Sequence, residues 1–148
     1  LKNSWYPSVF YFACHAGRKN KIVENRDFEE FLVPISFLFR LSCRAYEKYM
    51  TNKIYLHALN IRKANEMIYQ LVLDKINIIP VNLQQDCIEL LNHYDCWFNQ
   101  FSYEQNKRQP LISDEFVFLQ IDNQVAYPRS SEKKIMGAYK KLKKQLNK

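Results

Sequence analysis

Residues 83–106 read LQQDCIELLNHYDCWFNQFSYEQN, and their spacing decides the fold. At 3.6 residues per turn, Leu83, Cys87, Leu90, Leu91, Tyr94, Trp97, Phe98 and Phe101 fall within about 120° of a helical wheel. Burying the large side chains among them contributes about 1.5–3 kcal/mol each before chain entropy is subtracted. The segment is a core helix.

Working toward the N-terminus, Asn82 with Gln85 three residues on resembles a capping box, and Ile78, Ile79 and Pro80 end the preceding element. That element is a helix over about 53–75 with Ile54, Ala58, Ile61, Ala64, Ile68, Leu71 and Val72 along one side. Leu56, Leu59 and Met67 lie on another side, which predicts a central helix touching several neighbours. Thr51-Asn52 is a short break with Asn52 as N-cap. Before it, 28–50 carries Phe28, Phe31, Leu32, Ile35, Leu38, Phe39, Ser42, Ala45, Tyr46 and Tyr49 on one side, opposite Arg40, Arg44 and Glu47. Pro34 sits in its first turn or kinks it. Residues 5–16 form a short helix ending at Gly17, followed by a polar connector.

Toward the C-terminus, 105–115 reads as a loop, and 116–127 (FVFLQIDNQVAY) is the one stretch with extended character. It forms either a small hairpin turning at Asp122-Asn123 or an irregular strap packing Phe116 and Phe118 on the helices. After Pro128, Ser130 or Ser131 caps a last helix over about 132–147, with Ile135, Ala138, Tyr139, Leu142 and Leu146 on one side and lysines on the other. The predicted fold is all-α: a four- to five-helix antiparallel bundle with one short extended strap or β-hairpin before the C-terminal helix. Residues 1–148 make a single helical domain, and 129–148 its Lys-rich amphipathic C-terminal helix. The chain opens on Leu1 with no signal pattern, which fits a piece of a longer protein whose anchor or catalytic domain would lie upstream.

Charge is unevenly placed. The net +7 resides in 129–148, where eight basic residues face one acid; residues 1–128 hold fourteen of each sign. A nucleic-acid-binding domain more often spreads its basic residues over a face drawn from several elements. Lys133, Lys134, Lys140, Lys141 and Lys144 are candidate contacts for phosphate or an acidic partner, and Arg40 with Arg44 form a second basic pair. The alternative for each is a solvated face or surface ion pairs. No apolar run nears the roughly 18 residues that span a bilayer.

Two glycines, Gly17 and Gly137, cannot build a phosphate-cradling loop or a nucleophile elbow. Cys14, Cys43, Cys87 and Cys96 show no CxxC pairing, which points to buried, inert thiols in the cytoplasm. Asp86, Glu89, His93 and Cys96 are the one metal-like group, but the spacing is Glu-x-x-x-His with no second copy, so the expectation is a solvated acidic face with one His. Cys14 and His15 are adjacent and would not face each other on a helix; distant thiol–imidazole pairs such as Cys43 with His57 or His93 are weighed against inert packing, which is the expectation. A helical ribonuclease using Arg shortly before His is disfavoured, because no Arg precedes His15, His57 or His93 at four to six intervening residues and Arg62 follows His57 instead.

The reading is a non-catalytic protein-interaction or regulatory domain without cofactor or metal, acting on a protein partner or as a homo-oligomer. Its abundant Lys, Asn, Ile and Tyr suggest an AT-rich, bacterial genome. A nucleic-acid-binding module using the C-terminal lysines is the alternative, and a degenerate or unrecognised helical enzyme comes third.

Overall fold

Four α-helices build the fold in the computed structural model, which describes the backbone of residues 8–117 and 126–147 and the side chains of residues 26, 28–117 and 126–147. They are α1 (Ser8–Asn52), α2 (Tyr55–Asp74), α3 (Val81–Arg108) and α4 (Arg129–Leu146), with a 3-10 turn at Ile76–Ile78. Each helix packs on two others, α1 on α2 and α4, α3 on α2 and α4, which closes a four-membered ring. Cross-helix pairs fix the directions. Glu30–Lys75 and Ser42–Asn65 run oppositely along α1 and α2. Arg62–Gln105 and Tyr69–Phe98 do so along α2 and α3, and Asp86–Lys134 and Glu89–Ser131 along α3 and α4. The bundle is therefore up-down-up-down.

Two parts of the predicted architecture are corrected. The separate helices expected over 5–16 and 28–50 are one 45-residue helix, so the described residues hold four α-helices and not five. A helical glycine costs only about 1 kcal/mol against alanine, and once nucleated a helix propagates through such a residue. Pro34 accordingly lies inside α1, far from its first turn. The second correction concerns the extended segment: among the described residues there is no strand and no hairpin, only an isolated bridge between Ile54 and Glu115. The expected turn at Asp122-Asn123 and the packing of Phe118 fall outside the described residues.

The helix ends also differ from expectation, for one reason: backbone groups do what side-chain caps were expected to do. Lys53 adopts a left-handed φ of 43° after α1, and Ile54, with no side-chain cap bond, precedes α2. The first N–H groups of α2 are satisfied from the 111–115 loop, Tyr55 N to Asp114 O at 2.8 Å and Leu56 N to Ile112 O at 3.0 Å. Phe116 N then donates to Lys53 O, and Tyr49 Oη donates to Phe116 O, each at 2.8 Å. Asn82 does not cap α3 and neither Ser130 nor Ser131 caps α4, since Pro80 and Pro128 occupy those positions.

The core falls into two apolar groups. One gathers Phe31, Leu32, Ile35, Leu38 and Phe39 of α1 with Ile68, Val72, Leu83, Leu90, Tyr94, Ile135 and Leu142. The other holds Tyr49, Tyr55, Ala58, Ile61, Trp97, Phe101 and Phe116. Phe98 packs against both. The predicted stripe of α3 is buried or half-buried throughout. α2 is no more central than the other helices, because Leu56 and Met67 are exposed. Among the described residues no helix is long and apolar enough to cross a membrane.

Candidate functional site

α3 presents a second inward side beyond its apolar stripe. Asp86, His93 and Glu104 are buried there, although the residue types alone favour solvent. Asp86 Oδ1 accepts from Lys134 Nζ at 2.9 Å, and Glu89 Oε2 accepts from the Ser131 hydroxyl. The His93 ring stands edge-on to Tyr127, with centroids 5.1 Å apart, and to Tyr94 at 5.4 Å. The expectation of a solvated acidic face is thus corrected: Asp86, Glu89 and His93 form the seat of α4. Their i, i+3 spacing matches Ser131 and Lys134 on the antiparallel partner. Cys96 is exposed, and among the described residues no group of three or more His, Cys, Asp or Glu could hold a metal ion.

Among the described thiols, Cys43 and Cys87 are not activated nucleophiles. Cys43 and Cys96 are exposed, against the expectation of buried thiols, whereas Cys87 is buried. Partial desolvation, then the Glu47 carboxylate 3.7 Å away, raises the Cys43 thiol above its ordinary value. Burial pushes Cys87 up to about 12. A catalytic thiolate needs the opposite shift. Cys43 and His93 do border one pocket, but the thiol points its hydrogen bond at Glu47. His57 is half-buried on α2. The chain is a small all-helical domain without an evident catalytic or metal-binding group among its described residues.

The basic candidates divide. Lys134 is committed to Asp86, which raises its pKa through the hydrogen bond and the charge. Lys133, Lys140, Lys141 and Lys144 are exposed and form no ion pair with a described side chain. Arg40 and Arg44 are likewise exposed and form no ion pair with a described carboxylate; Arg40 Nε donates to Ser36 O at 3.3 Å within the helix. Beside this pair lie Val33, Phe37 and Leu41, exposed by 41%, 58% and 37%. Their four-residue spacing puts them within about 80° of the α1 wheel, and Arg40, Arg44 and Lys48 flank or interleave the same side. The sequence reading did not single out this apolar stripe, though the spacing is visible in VPISFLFRL.

A cavity of about 410 Å³ opens where the two apolar groups of the core meet, and all four helices contribute to it. Phe39, Ser42, Cys43 and Tyr46 come from α1, Ile61 and Asn65 from α2. His93, Tyr94 and Trp97 come from α3, with Tyr127, Arg129 and Glu132 at the start of α4. Ser42 Oγ donates to Asn65 Oδ1 at 2.8 Å. Burial holds the Tyr94 and Tyr127 hydroxyls neutral, and Tyr127 contacts both Tyr94 and the Glu132 carboxylate. A more open depression of about 530 Å³ beside Tyr55, Gln105 and Pro110 has no charged group in its lining.

Fold and site together define a four-helix bundle with a polar seam under α4, a cavity at its waist and an apolar, cationic outward side on α1. No family model, curated protein or solved structure matches the chain.

Proposed function

We propose that the chain is a non-catalytic protein-interaction domain of a bacterial cytoplasm, which binds an acidic amphipathic helix through the outward side of α1. One observation carries the reading: Val33, Phe37 and Leu41 are exposed on one side of α1, and the cations beside them, Arg40, Arg44 and Lys48, form no ion pair with a described side chain. Apolar side chains at four-residue spacing are how helices meet partner helices, and unneutralised flanking cations favour a partner with acidic edges. The same charge opposes self-pairing of this side in a two-fold dimer. The experiment is photo-crosslinking in cells from a reactive side chain at position 37, with position 88 as control. A specific adduct from position 37, mapping to a helix with Asp or Glu beside its apolar stripe, supports the reading. No adduct, or equal labelling from position 88, contradicts it, as does an intrinsic activity abolished by one polar substitution.

A second reading, nucleic-acid binding, is favoured by Lys133, Lys140, Lys141 and Lys144, which face outward on α4 without ion pairs. It requires binding that weakens steeply between two salt concentrations and is lost when Lys140, Lys141 and Lys144 become Glu.

A further inference from the structure

The lysines of α4 do not stand alone in the folded chain. Glu132 lies close enough to Cys43 for its carboxylate to act on the thiol, which marks the flank of α4 that faces α1. At 100° per residue, Arg129, Lys140 and Lys133 lie about 60°, 80° and 100° round α4 from Glu132, turning outward. Ser131 and Lys134 bond to α3 instead, and Lys141, about 20° from Lys134, belongs to that other flank. On α1, Arg40 and Arg44 lie about 60° and 100° outward from Cys43, while Phe37 and Leu41 are about 120° and 160° away, toward α2. The two helices are antiparallel, so from the Cys43–Glu132 level Arg40 stands beside residue 135, Arg44 beside residue 131 and Lys140 beside residue 35. Cations from two helices therefore wall the outer groove between α1 and α4 over about 16 Å, the rise from Arg129 to Lys140. All five are exposed and form no ion pair with a described side chain. The acids among them are Glu132, engaged by the Tyr127 hydroxyl, and Glu47, engaged by the Cys43 thiol. Basic residues drawn from separate elements onto one face are the footprint of a nucleic-acid site.

We infer that the outer groove between α1 and α4 seats the phosphate backbone of duplex DNA, with Arg40, Arg44 and Arg129 acting together with Lys133 and Lys140. The inference rests on the second reading above and moves its site from the lysines of one helix to a face shared by two. A duplex carries one charge per about 1.7 Å, the densest match to two facing rows of cations. One exposed ring, Tyr46, stands near the Arg129 end, which is too few for the stacked rows of a single-strand site. Contacts of this kind fix position and carry no base readout. The apolar side with Phe37 and Leu41 turns toward α2, so the two surfaces adjoin along α1 without coinciding.

The test is fluorescence anisotropy of a labelled mixed-sequence DNA duplex of about 20 base pairs, titrated with the full chain from about 50 to 200 mM salt. The wild type should bind with a log–log salt slope between about −2.5 and −4, the release expected for three or four phosphates. Arg40→Ala and Arg129→Ala should each weaken binding about three- to tenfold and make the slope shallower by about one, with circular dichroism unchanged. Lys107→Ala, on α3, should change neither. Absence of binding at about 100 µM protein and 50 mM salt overturns the second reading and the inference together. Binding that keeps its slope in both folded arginine variants overturns the inference alone and leaves the site on the α4 lysines. Tighter binding of the single strand, or competition by poly-L-glutamate as effective as unlabelled duplex at equal charge, also overturns it, the latter in favour of an acidic protein. These wild-type comparisons decide even if a variant fails to fold.

Discussion

Replacing Phe116 by Ala probes a loop side chain that packs into the core beside Tyr55 and Phe101. The ring is fully buried, edge-on to Tyr55 at 5.0 Å and tilted against Phe101 at 5.3 Å, with the Arg108 guanidinium 5.6 Å above it. Truncation leaves the backbone bonds to Lys53 and Tyr49 in place, so the loss is ring transfer plus the cavity left behind. Such Phe→Ala changes cost about 3–5 kcal/mol, a large part of the roughly 5–15 kcal/mol that stabilises a domain. For a chain of this length the melting temperature should fall by about 6–20 °C. Urea unfolding followed by far-UV circular dichroism measures it, with Leu111→Ala, 71% exposed, as a control expected within about 0.5 kcal/mol of wild type. A loss for Phe116→Ala below about 1 kcal/mol would refute the claim that this loop is an integral wall of the core.

Gly137→Ala should stabilise the protein by about 0.5–1 kcal/mol in the same assay, because a Cβ there meets nothing within 4 Å and the residue lies inside α4; destabilisation would mean α4 is seated differently. Stability should fall as pH rises above about 9: the folded chain keeps the Cys87 proton up to about 12 while the unfolded chain releases it near 9. That one thiol removes about 1.4 kcal/mol per pH unit at most, and the raised Tyr94 and Tyr127 hydroxyls and the Lys134–Asp86 contact act in the same direction at higher pH. Urea midpoints at pH 8 and 10.5 test this; equal midpoints contradict it, and Cys87→Ala should flatten the slope. Asn65→Ala should cost about 1–2 kcal/mol through loss of the Ser42 bond, as measured by urea unfolding, and a neutral effect would show that the bond adds nothing.

The apolar half of this fold is legible in the spacing of large side chains. The α3 stripe from Leu83 to Phe101 and the Ile135–Leu142 side of α4 need nothing but the helical period to be assigned inward. Polar residues carry no such signal. Asp86 and His93 lie beside the stripe and read as solvated, because burial there depends on Ser131, Lys134 and Tyr127, residues roughly 35–50 positions away that a single-helix reading does not bring alongside. The helix starts are hard to read from sequence for a related reason: backbone carbonyls of residues 112 and 114 complete the first turn of α2, and a carbonyl has no residue type to recognise. Gly17 is a weak breaker in a helix long enough to absorb it.

The central claim is that the chain acts through a surface, the outward side of α1, and not through a reactive centre. Its most direct test is the affinity of the partner captured from position 37 for wild type and for Phe37→Glu, a substitution at a side chain 58% exposed. The account predicts an unchanged melting temperature with binding weakened at least about thirtyfold, the loss of an interfacial aromatic anchor worth about 2 kcal/mol. Undiminished binding by a fully folded Phe37→Glu protein would contradict it.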